Sequence, residues 1–394
     1  MEVMINSALP KLSESYLFEE AARQAADFEV RHPLSRIISL GIGDVTQPLT
    51  PVVTGALRTA AAEMGNAQHH RGYGPAAGYP FLRQAIAEQY RRGGYSVSAE
   101  EVTVTGGAKE SLGAVLSLFD PAVPVWVCDP VYPAYRDCAI SAGFRVFALP
   151  CRAEEDFIPR PAGVTEPGII FLCSPNNPTG AVLSTKDWED WISFARQSGS
   201  ILITDAAYSA YITEEGYPRS VYEIAGAQEC AIEVNSFSKS AGFTGLRCGW
   251  VILPKKLSAG SIILQPFWRR WLACHANGIS YPVQRAAEAA LSTTGQQQGE
   301  SALAVYRRNA ERLMRHFAAV GIPFWGGRNA PYLWVRCPEG CDSWGMFRRL
   351  LAECGVLCTP GAGFGEQGEG YLRFTAFATE DATAEAIRRI ASIL

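Results

Sequence analysis

Lys239 stands in Ser236-Phe237-Ser238-Lys239-Ser240-Ala241-Gly242-Phe243-Thr244-Gly245-Leu246-Arg247, with two hydroxyls before it and an arginine after. Ser236, Ser238 and Arg247 suit a phosphate, and the glycines let backbone approach a ligand. A lysine amine held among aromatics suits a Schiff base. Asp205 follows Ile201-Leu202-Ile203-Thr204 and precedes Tyr208 by three residues. A carboxylate at a buried strand end needs a cationic or N–H partner; the alternative is a helix N-cap. Ser174-Pro175-Asn176-Asn177-Pro178-Thr179-Gly180 sets two amides between prolines, in a loop whose side chains are free to donate. Asp129-Pro130-Val131-Tyr132-Pro133-Ala134-Tyr135 holds aromatics at another strand end. They can stack on a planar ligand or simply stiffen a turn. Thr105-Gly106-Gly107-Ala108-Lys109 joins a strand to a helix, where free amides and the helix dipole attract anions. An ordinary turn with an exposed lysine is the other reading.

One cofactor needs all of these groups at once. Pyridoxal 5'-phosphate wants a lysine amine for its aldehyde and a carboxylate for its pyridine nitrogen. It also wants donors to its ring oxygen, an aromatic over its face and a phosphate cup.

The elements that must position these groups are short apolar runs: Val102–Thr105, Val125–Cys128, Ile169–Cys173, Ile201–Thr204, Ala231–Asn235 and Cys248–Leu253. Such runs, alternating with helical stretches, predict a doubly wound α/β domain with a mostly parallel sheet buried on both faces. The ends of its strands are where ligands bind. The C-terminal third changes character. An amphipathic stretch over Pro282–Gly321 precedes strand-like Tyr332–Arg336, Val356–Thr359 and Tyr371–Phe374, with a helix at Trp344–Glu353. We expect a large domain over 46–284, a smaller α+β domain over 285–394, and an N-terminal segment 1–45 packing with the latter. A helix beginning near Glu14 is too short to stand alone.

The chain resembles the fold-type I, pyridoxal-phosphate-dependent aminotransferases over nearly its whole length. SPNNPTG (Ser174–Gly180), DAAY (Asp205–Tyr208) and SFSKSAGFTGLRCGW (Ser236–Trp250) occur in that order. LGIGDVTQPL (Leu40–Leu49), HRGYGPAAGYPFLRQAI (His70–Ile86), GGAKES (Gly106–Ser111), DPVYPAYRD (Asp129–Asp137) and NAPYLWV (Asn329–Val335) are similar to the LL-diaminopimelate aminotransferase branch.

The resemblance implies an internal aldimine on Lys239 and a ping-pong transamination in which Lys239 moves the substrate Cα proton. By the same carry-over Asp205 pairs with the pyridinium nitrogen, and Asn177 and Tyr208 bond the ring oxygen. Tyr132 stacks on the ring. Ala108, Lys109, Ser236, Ser238 and Arg247 hold the phosphate. Arg373 clamps the substrate α-carboxylate, with Tyr16, Gly43, Lys109, Tyr132, Asn177 and Asn277 near the substrate. A tyrosine matching Tyr73 comes from a partner subunit, so the resemblance implies a homodimer with active sites at its interface. Amino acids and 2-oxo acids would be the substrates.

The chain departs from this pattern in places. GYG (Gly72–Gly74) is followed by Pro75 and Ala76, where the family places an acidic residue for the substrate's distal ammonium. Gly106 replaces the usual aspartate before the GAK segment, and Val45 follows Asp44 where threonine is common. The other reading is therefore an aminotransferase of the same fold for an aromatic or other amino acid. A third is a non-catalytic, aminotransferase-like effector-binding module. Such modules follow a DNA-binding domain, and fewer than about 40 residues precede the fold here.

Other motifs carry less. Gly363-Phe364-Gly365-Glu366-Gln367-Gly368 spells GxGxxG but leads into a strand, where a dinucleotide fingerprint opens a helix. The pairs Cys337/Cys341 and Cys354/Cys358 have zinc-like spacing, yet sit in apolar segments as small core thiols; no metal is expected. His69-His70 reads as loop surface, and Arg307, Arg308, Arg312 and Arg315 as a solvated helix face.

The composition agrees with a folded enzyme. In 394 residues, 48% are hydrophobic and 19% charged, which disfavours disorder. A net charge of −4 gives no reason to expect nucleic acid or an anionic membrane as partner. We find no run of about 18 apolar residues and no cationic leader before an apolar stretch. Eleven cysteines, an odd and scattered number, point to reduced thiols in a cytoplasm.

Overall fold

The computed structural model describes residues 4–12 and 16–394; Glu14, where we expect the first helix to begin, lies outside the described residues. Along the chain come α1 (Leu17–Arg31), β1 (Ile38–Ser39), α2 (Pro51–Met64), α3 (Pro80–Arg92), β2 (Val102–Thr105), α4 (Ala108–Leu116), β3 (Val125–Asp129), α5 (Ala134–Ser141) and β4 (Val146–Pro150). Next are β5 (Ile169–Cys173), α6 (Thr185–Ser198), β6 (Ile201–Asp205), β7 (Ala231–Ser236), α7 (Phe237–Ser240) and β8 (Gly249–Ile252). A small hairpin of β9 (Ser258–Ala259) and β10 (Ile262–Ile263) leads to α8 (Gln265–His275), α9 (Tyr281–Leu291) and α10 (Thr293–Ala319). The chain ends with β11 (Phe324–Gly326), β12 (Tyr332–Arg336), α11 (Ser343–Arg349), β13 (Val356–Leu357), β14 (Thr359–Pro360), β15 (Tyr371–Thr375) and α12 (Glu380–Ile390).

The central sheet has seven strands in the order β2-β8-β7-β6-β5-β3-β4, and only β8 runs against the rest. Every residue of β2, β3, β5, β6, β7 and β8 is buried, as continuous Val/Ile/Leu runs between helical layers should be. The apolar runs thus mark six of the seven strands, to within a residue at each end. The seventh, β4, sits at the sheet edge and is half exposed, so Val146-Phe147-Ala148-Leu149-Pro150 does not read as a core strand.

The C-terminal part forms an antiparallel sheet, β11-β12-β15-β14. The N-terminal segment joins it. β1 pairs in parallel with β13, and Thr375 N–H donates to the Leu40 carbonyl at 2.8 Å. The stretch Pro282–Gly321 is two helices rather than one. Ser292 is extended (ψ 160°) and caps α10 by accepting from Gly295 N–H at 3.0 Å, while its hydroxyl donates to Ala289 O at 2.7 Å. The expected helix at Trp344–Glu353 is α11, capped by Asp342, followed by a π-turn at Leu350–Cys354.

Three of the four arginines of α10 correct a second expectation, while Arg315 stays on the exposed face, its Nε donating to the Glu311 carbonyl of its own helix. Arg308 and Arg312 both bond Glu380 at the start of α12, and Arg307 bonds Glu300 and the Ala210 carbonyl in the turn after β6. They tie layers together because their side chains cross helix–helix and helix–loop seams, which a single-helix reading does not see.

Candidate active site

Five strand ends converge on one pocket of about 380 Å³, whose walls include Lys239, Asp205, Tyr208, Asn177, Tyr132 and Arg373. Lys239 lies on the single turn of α7 directly after β7. Its Nζ donates to the Gly43 carbonyl and stands 5.4 Å from the Phe377 ring centroid. Burial pulls the amine down to about 8, and Arg373 and Arg247 add to this while Asp44 opposes it.

Asp205, the last residue of β6, is fully buried. Its Oδ2 accepts from the Tyr135 hydroxyl at 2.7 Å and its Oδ1 from Ala207 N–H at 2.9 Å. Burial raises the carboxyl pKa, and these two donors oppose the rise. No helix starts here, so Asp205 is not an N-cap. The Tyr208 hydroxyl lies 2.8 Å from that of Tyr332, itself buried. Gly43 is required opposite them: a Cβ there would fall 2.5 Å from the Tyr332 hydroxyl.

The anion side of the pocket is built from backbone and hydroxyls. Gly107 (φ +124°) precedes α4, so Ala108 occupies the first helical position with its N–H free for a ligand. A Cβ on Gly107 would collide with the Arg247 guanidinium. The Ser236 and Ser238 hydroxyls are 2.9 Å apart, and Arg247 Nη1 donates to Ser238 Oγ at 3.4 Å. Lys109 lines the pocket wall and stands 4.9 Å from the Tyr16 ring. Tyr16 packs on Phe18, another wall residue, at 5.5 Å.

Arg373 is 1% exposed on β15. It donates to Asn177 Oδ1 at 2.7 Å, to Thr359 Oγ1 at 3.3 Å and to the Gly41 carbonyl. The rings of Tyr332, Phe364 and Phe18 surround it at 4.7, 5.0 and 5.3 Å. Burial lowers its pKa, and among the described residues no carboxylate pairs with it. A buried guanidinium without a counter-ion is a receptor for an arriving carboxylate.

The glycine-rich segment 363–368 contributes from a distance. It forms two short 3₁₀ turns before β15, and Asp129 accepts from the N–H groups of Glu366 and Gln367 at 3.1 Å each. This anchors the strand carrying Arg373 to the end of β3.

Three expected site residues do not line the pocket in the single chain: Tyr16, which stands behind Lys109 and Phe18, and Tyr73 and Asn277. Tyr73 is 92% exposed, and Asn277 lies in the exposed turn after α8. Their loops touch: a Cβ on Gly278 would meet the Pro75 carbonyl at 2.5 Å. His69 and His70 are exposed on the same stretch. Our reading of the residues missed Tyr135, Tyr332 and Phe18 as site residues. Tyr135 was within reach, since it lies three residues after Tyr132 in the same strand-end motif. Tyr332 lies in the family-like NAPYLWV segment, which was given no role in the site, and Phe18 carries no local signal.

The model of the family described as aminotransferase class I and II matches residues 35–390. The chain belongs to this family. It is 42% identical over 402 residues to the LL-diaminopimelate aminotransferase of Lachnospira eligens, covering 99% of each. The solved structure of the L,L-diaminopimelate aminotransferase from Chlamydomonas reinhardtii superposes with a TM-score of 0.94 at 37% identity, covering 100% of this chain and 99% of that one. An aromatic aminotransferase from Pyrococcus horikoshii gives 0.83 at 27% identity, covering 94% and 98%. The chain therefore has the fold-type I aminotransferase architecture, and its mostly parallel seven-stranded sheet is part of that likeness.

Proposed function

We propose that the protein is a pyridoxal-phosphate-dependent LL-diaminopimelate aminotransferase, passing an amino group between that amino acid and 2-oxoglutarate. The observation that carries this reading is a buried, counter-ion-free Arg373 facing the same pocket as the Lys239 amine and the Asp205 carboxylate. The names of the relatives similar over full length support the substrate.

The residues fit the cofactor. Lys239 offers an amine whose pKa is pulled down to about 8, so a useful fraction is neutral near working pH. Asp205, with one oxygen bonded to Tyr135 and the other to Ala207, would hold the ring nitrogen's proton. Tyr208 and the Asn177 amide would bond the ring oxygen, and Tyr132 would cover the ring face. Ser236, Ser238, Arg247, Lys109 and the Ala108 N–H would hold the phosphate. When bound, pyridoxal phosphate supplies an aldehyde that condenses with amines and a ring that draws electrons from the substrate Cα. Arg373 would orient the substrate by its α-carboxylate, assisted by Asn177, with Tyr16, Lys109 and the Gly43 backbone near it. With the cofactor bound, the Lys239 Nζ would take the proton from the substrate Cα. A 2-oxo acid would be held by the same contacts.

The exposed Tyr73 and Asn277, on adjoining loops, support a homodimer in which each chain completes its partner's site. Free thiols throughout support a reducing, cytoplasmic compartment. Among the described residues no helix is long and apolar enough to cross a membrane. We divide the chain at 45 and 284 into N-terminal segment, large domain and small domain.

Ala76 favours a second reading, an aminotransferase of the same fold with a different amino donor. A panel of donors, scored by bleaching of the visible absorbance of the holoenzyme, separates the two. LL-diaminopimelate should bleach it fastest. If glutamate or phenylalanine does so as fast, the substrate assignment fails. Loss of the visible band in Lys239→Ala is expected on either reading.

A further inference from the structure

The turn that carries Lys239 has two faces. Ser238 and Lys239 look into the pocket described above, while Phe237, Ser240 and Ala241 line a second cavity of about 500 Å³. Ala207, two residues after Asp205, lines both. The two spaces are therefore separated by little more than the α7 turn and the backbone after β6. A cavity of this size is within the range that binds small organic molecules.

The cavity runs inward from an exposed rim at Arg92, Gln296 and Glu300 to a buried floor on β7 and β8. Two polar residues sit on that floor. Glu233 is saturated: the Ser220 hydroxyl donates to it at 2.6 Å, Val221 N–H at 3.0 Å, and the Tyr90 hydroxyl as well. Asn235 is not. Its Oδ1 accepts from Ser236 N–H at 2.7 Å, and its Nδ2 has no hydrogen-bond partner among the described residues. The residue is 8% exposed and lines the cavity. An amide donor that opens onto a cavity and has no partner in the protein can serve an acceptor that enters it. Around it stand Phe237, Trp250 and Tyr90. Of the wall charges, Arg307 is paired with Glu300 and Arg92 with Glu88, and Glu233 is held by three donors, which leaves Arg219, bonded to the Ile212 carbonyl, as the guanidinium without a carboxylate partner among the described residues.

We propose that this cavity is a second ligand site, distinct from the Lys239 pocket, for a small carboxylate with an aromatic body. Asn235 Nδ2 donates to the ligand's oxygen, Arg219 at the wall favours its charge, and the ring packs among Phe237, Trp250 and Tyr90. Its occupant bears on the reverse side of the segments that hold Lys239, Asp205 and Tyr208, which couples the site to the pocket.

The test is isothermal titration of the holoenzyme with 3-phenylpropanoate, which is neither an amino acid nor a 2-oxo acid and cannot turn over. Three variants accompany the wild type. Arg373→Gln removes the carboxylate clamp of the first pocket. Asn235→Asp keeps the acceptor for Ser236 N–H and exchanges the free donor for an acceptor. Gly299→Leu fills the cavity from α10, where a Cβ would stand 3.7 Å from the nearest atom, the Ser240 carbonyl. We expect a saturable heat that survives Arg373→Gln and weakens at least about tenfold in Asn235→Asp and in Gly299→Leu. No saturable heat up to roughly 10 mM in the wild type overturns the proposal. So does binding that disappears in Arg373→Gln, or an unchanged affinity in Asn235→Asp. The readout is heat of binding, so the outcome is independent of which amino donor the enzyme uses.

Discussion

Arg373 Nη1 donates to Asn177 Oδ1 at 2.7 Å, across a sequence separation of 196 residues. The bond joins the small sheet to the loop after β5. It leaves the Asn177 amide nitrogen as the free end, turned from the arginine, and so couples the group that would clamp a carboxylate to the group that would bond the cofactor ring oxygen.

Arg373→Lys should therefore do two things. The fork geometry is lost, so KM for both amino and 2-oxo substrates should rise about 10- to 100-fold, the worth of one or two charge-assisted bonds. Asn177 also loses its anchor, so the pH at which the visible absorbance titrates should move. Steady-state kinetics with a spectral pH titration measure both. A KM effect with an unmoved titration would mean that Asn177 is held by something else.

Tyr135→Phe removes the stronger-placed of the two donors to Asp205, 2.7 Å from Oδ2. Ala207 N–H alone would then oppose the burial that raises the Asp205 pKa. We expect cofactor affinity and kcat to fall roughly tenfold, with the fold intact by circular dichroism. Unchanged cofactor affinity would remove Tyr135 from the site.

Glu233 gives a pH signature in stability. Burial pushes it up to about 7 from a usual 4.5, against the pull of Ser220, Tyr90 and Val221. Between pH 4.5 and 7 the folded chain holds this proton and the unfolded chain releases it, so stability falls as pH rises through the window. The contribution is on the order of 3 kcal/mol. Glu233→Gln lacks the titrating group. Urea midpoints at pH 5 and pH 7.5 should differ by more in the wild type than in the variant, and equal differences would refute the assignment.

The exposed Tyr73 can be assigned to its own or its partner's site by hybrids. Chains carrying Tyr73→Ala are mixed after partial unfolding with chains carrying Lys239→Ala. If each site draws Tyr73 from the partner, half of the dimers are hybrids and each has one intact site, so about a quarter of wild-type activity returns. If Tyr73 serves its own chain, no hybrid site is intact and the mixture stays inactive.

Much of this protein is written locally. The six buried strands show as short Val/Ile/Leu runs because a strand covered on both faces has no polar side to display. Lys239, Asp205, Asn177 and Arg247 sit at or just beyond strand ends, where loop chemistry stands out against apolar neighbours. The edge strand β4 escaped because its half-exposed face dilutes the pattern, and the break at Ser292 because a capping serine inside an amphipathic stretch looks like any polar position. What tertiary structure alone decided are the pairings between distant residues. Tyr332 reaches Tyr208 over 124 positions, Tyr135 reaches Asp205 over 70, and Arg307 reaches Ala210 over 97. The cavity behind Lys239 is of the same kind, gathered from both sides of the sheet-to-helix seam. Such contacts are set by how layers pack after the strands have paired, and packing depends on the shape of both surfaces, which periodicity along one segment cannot encode.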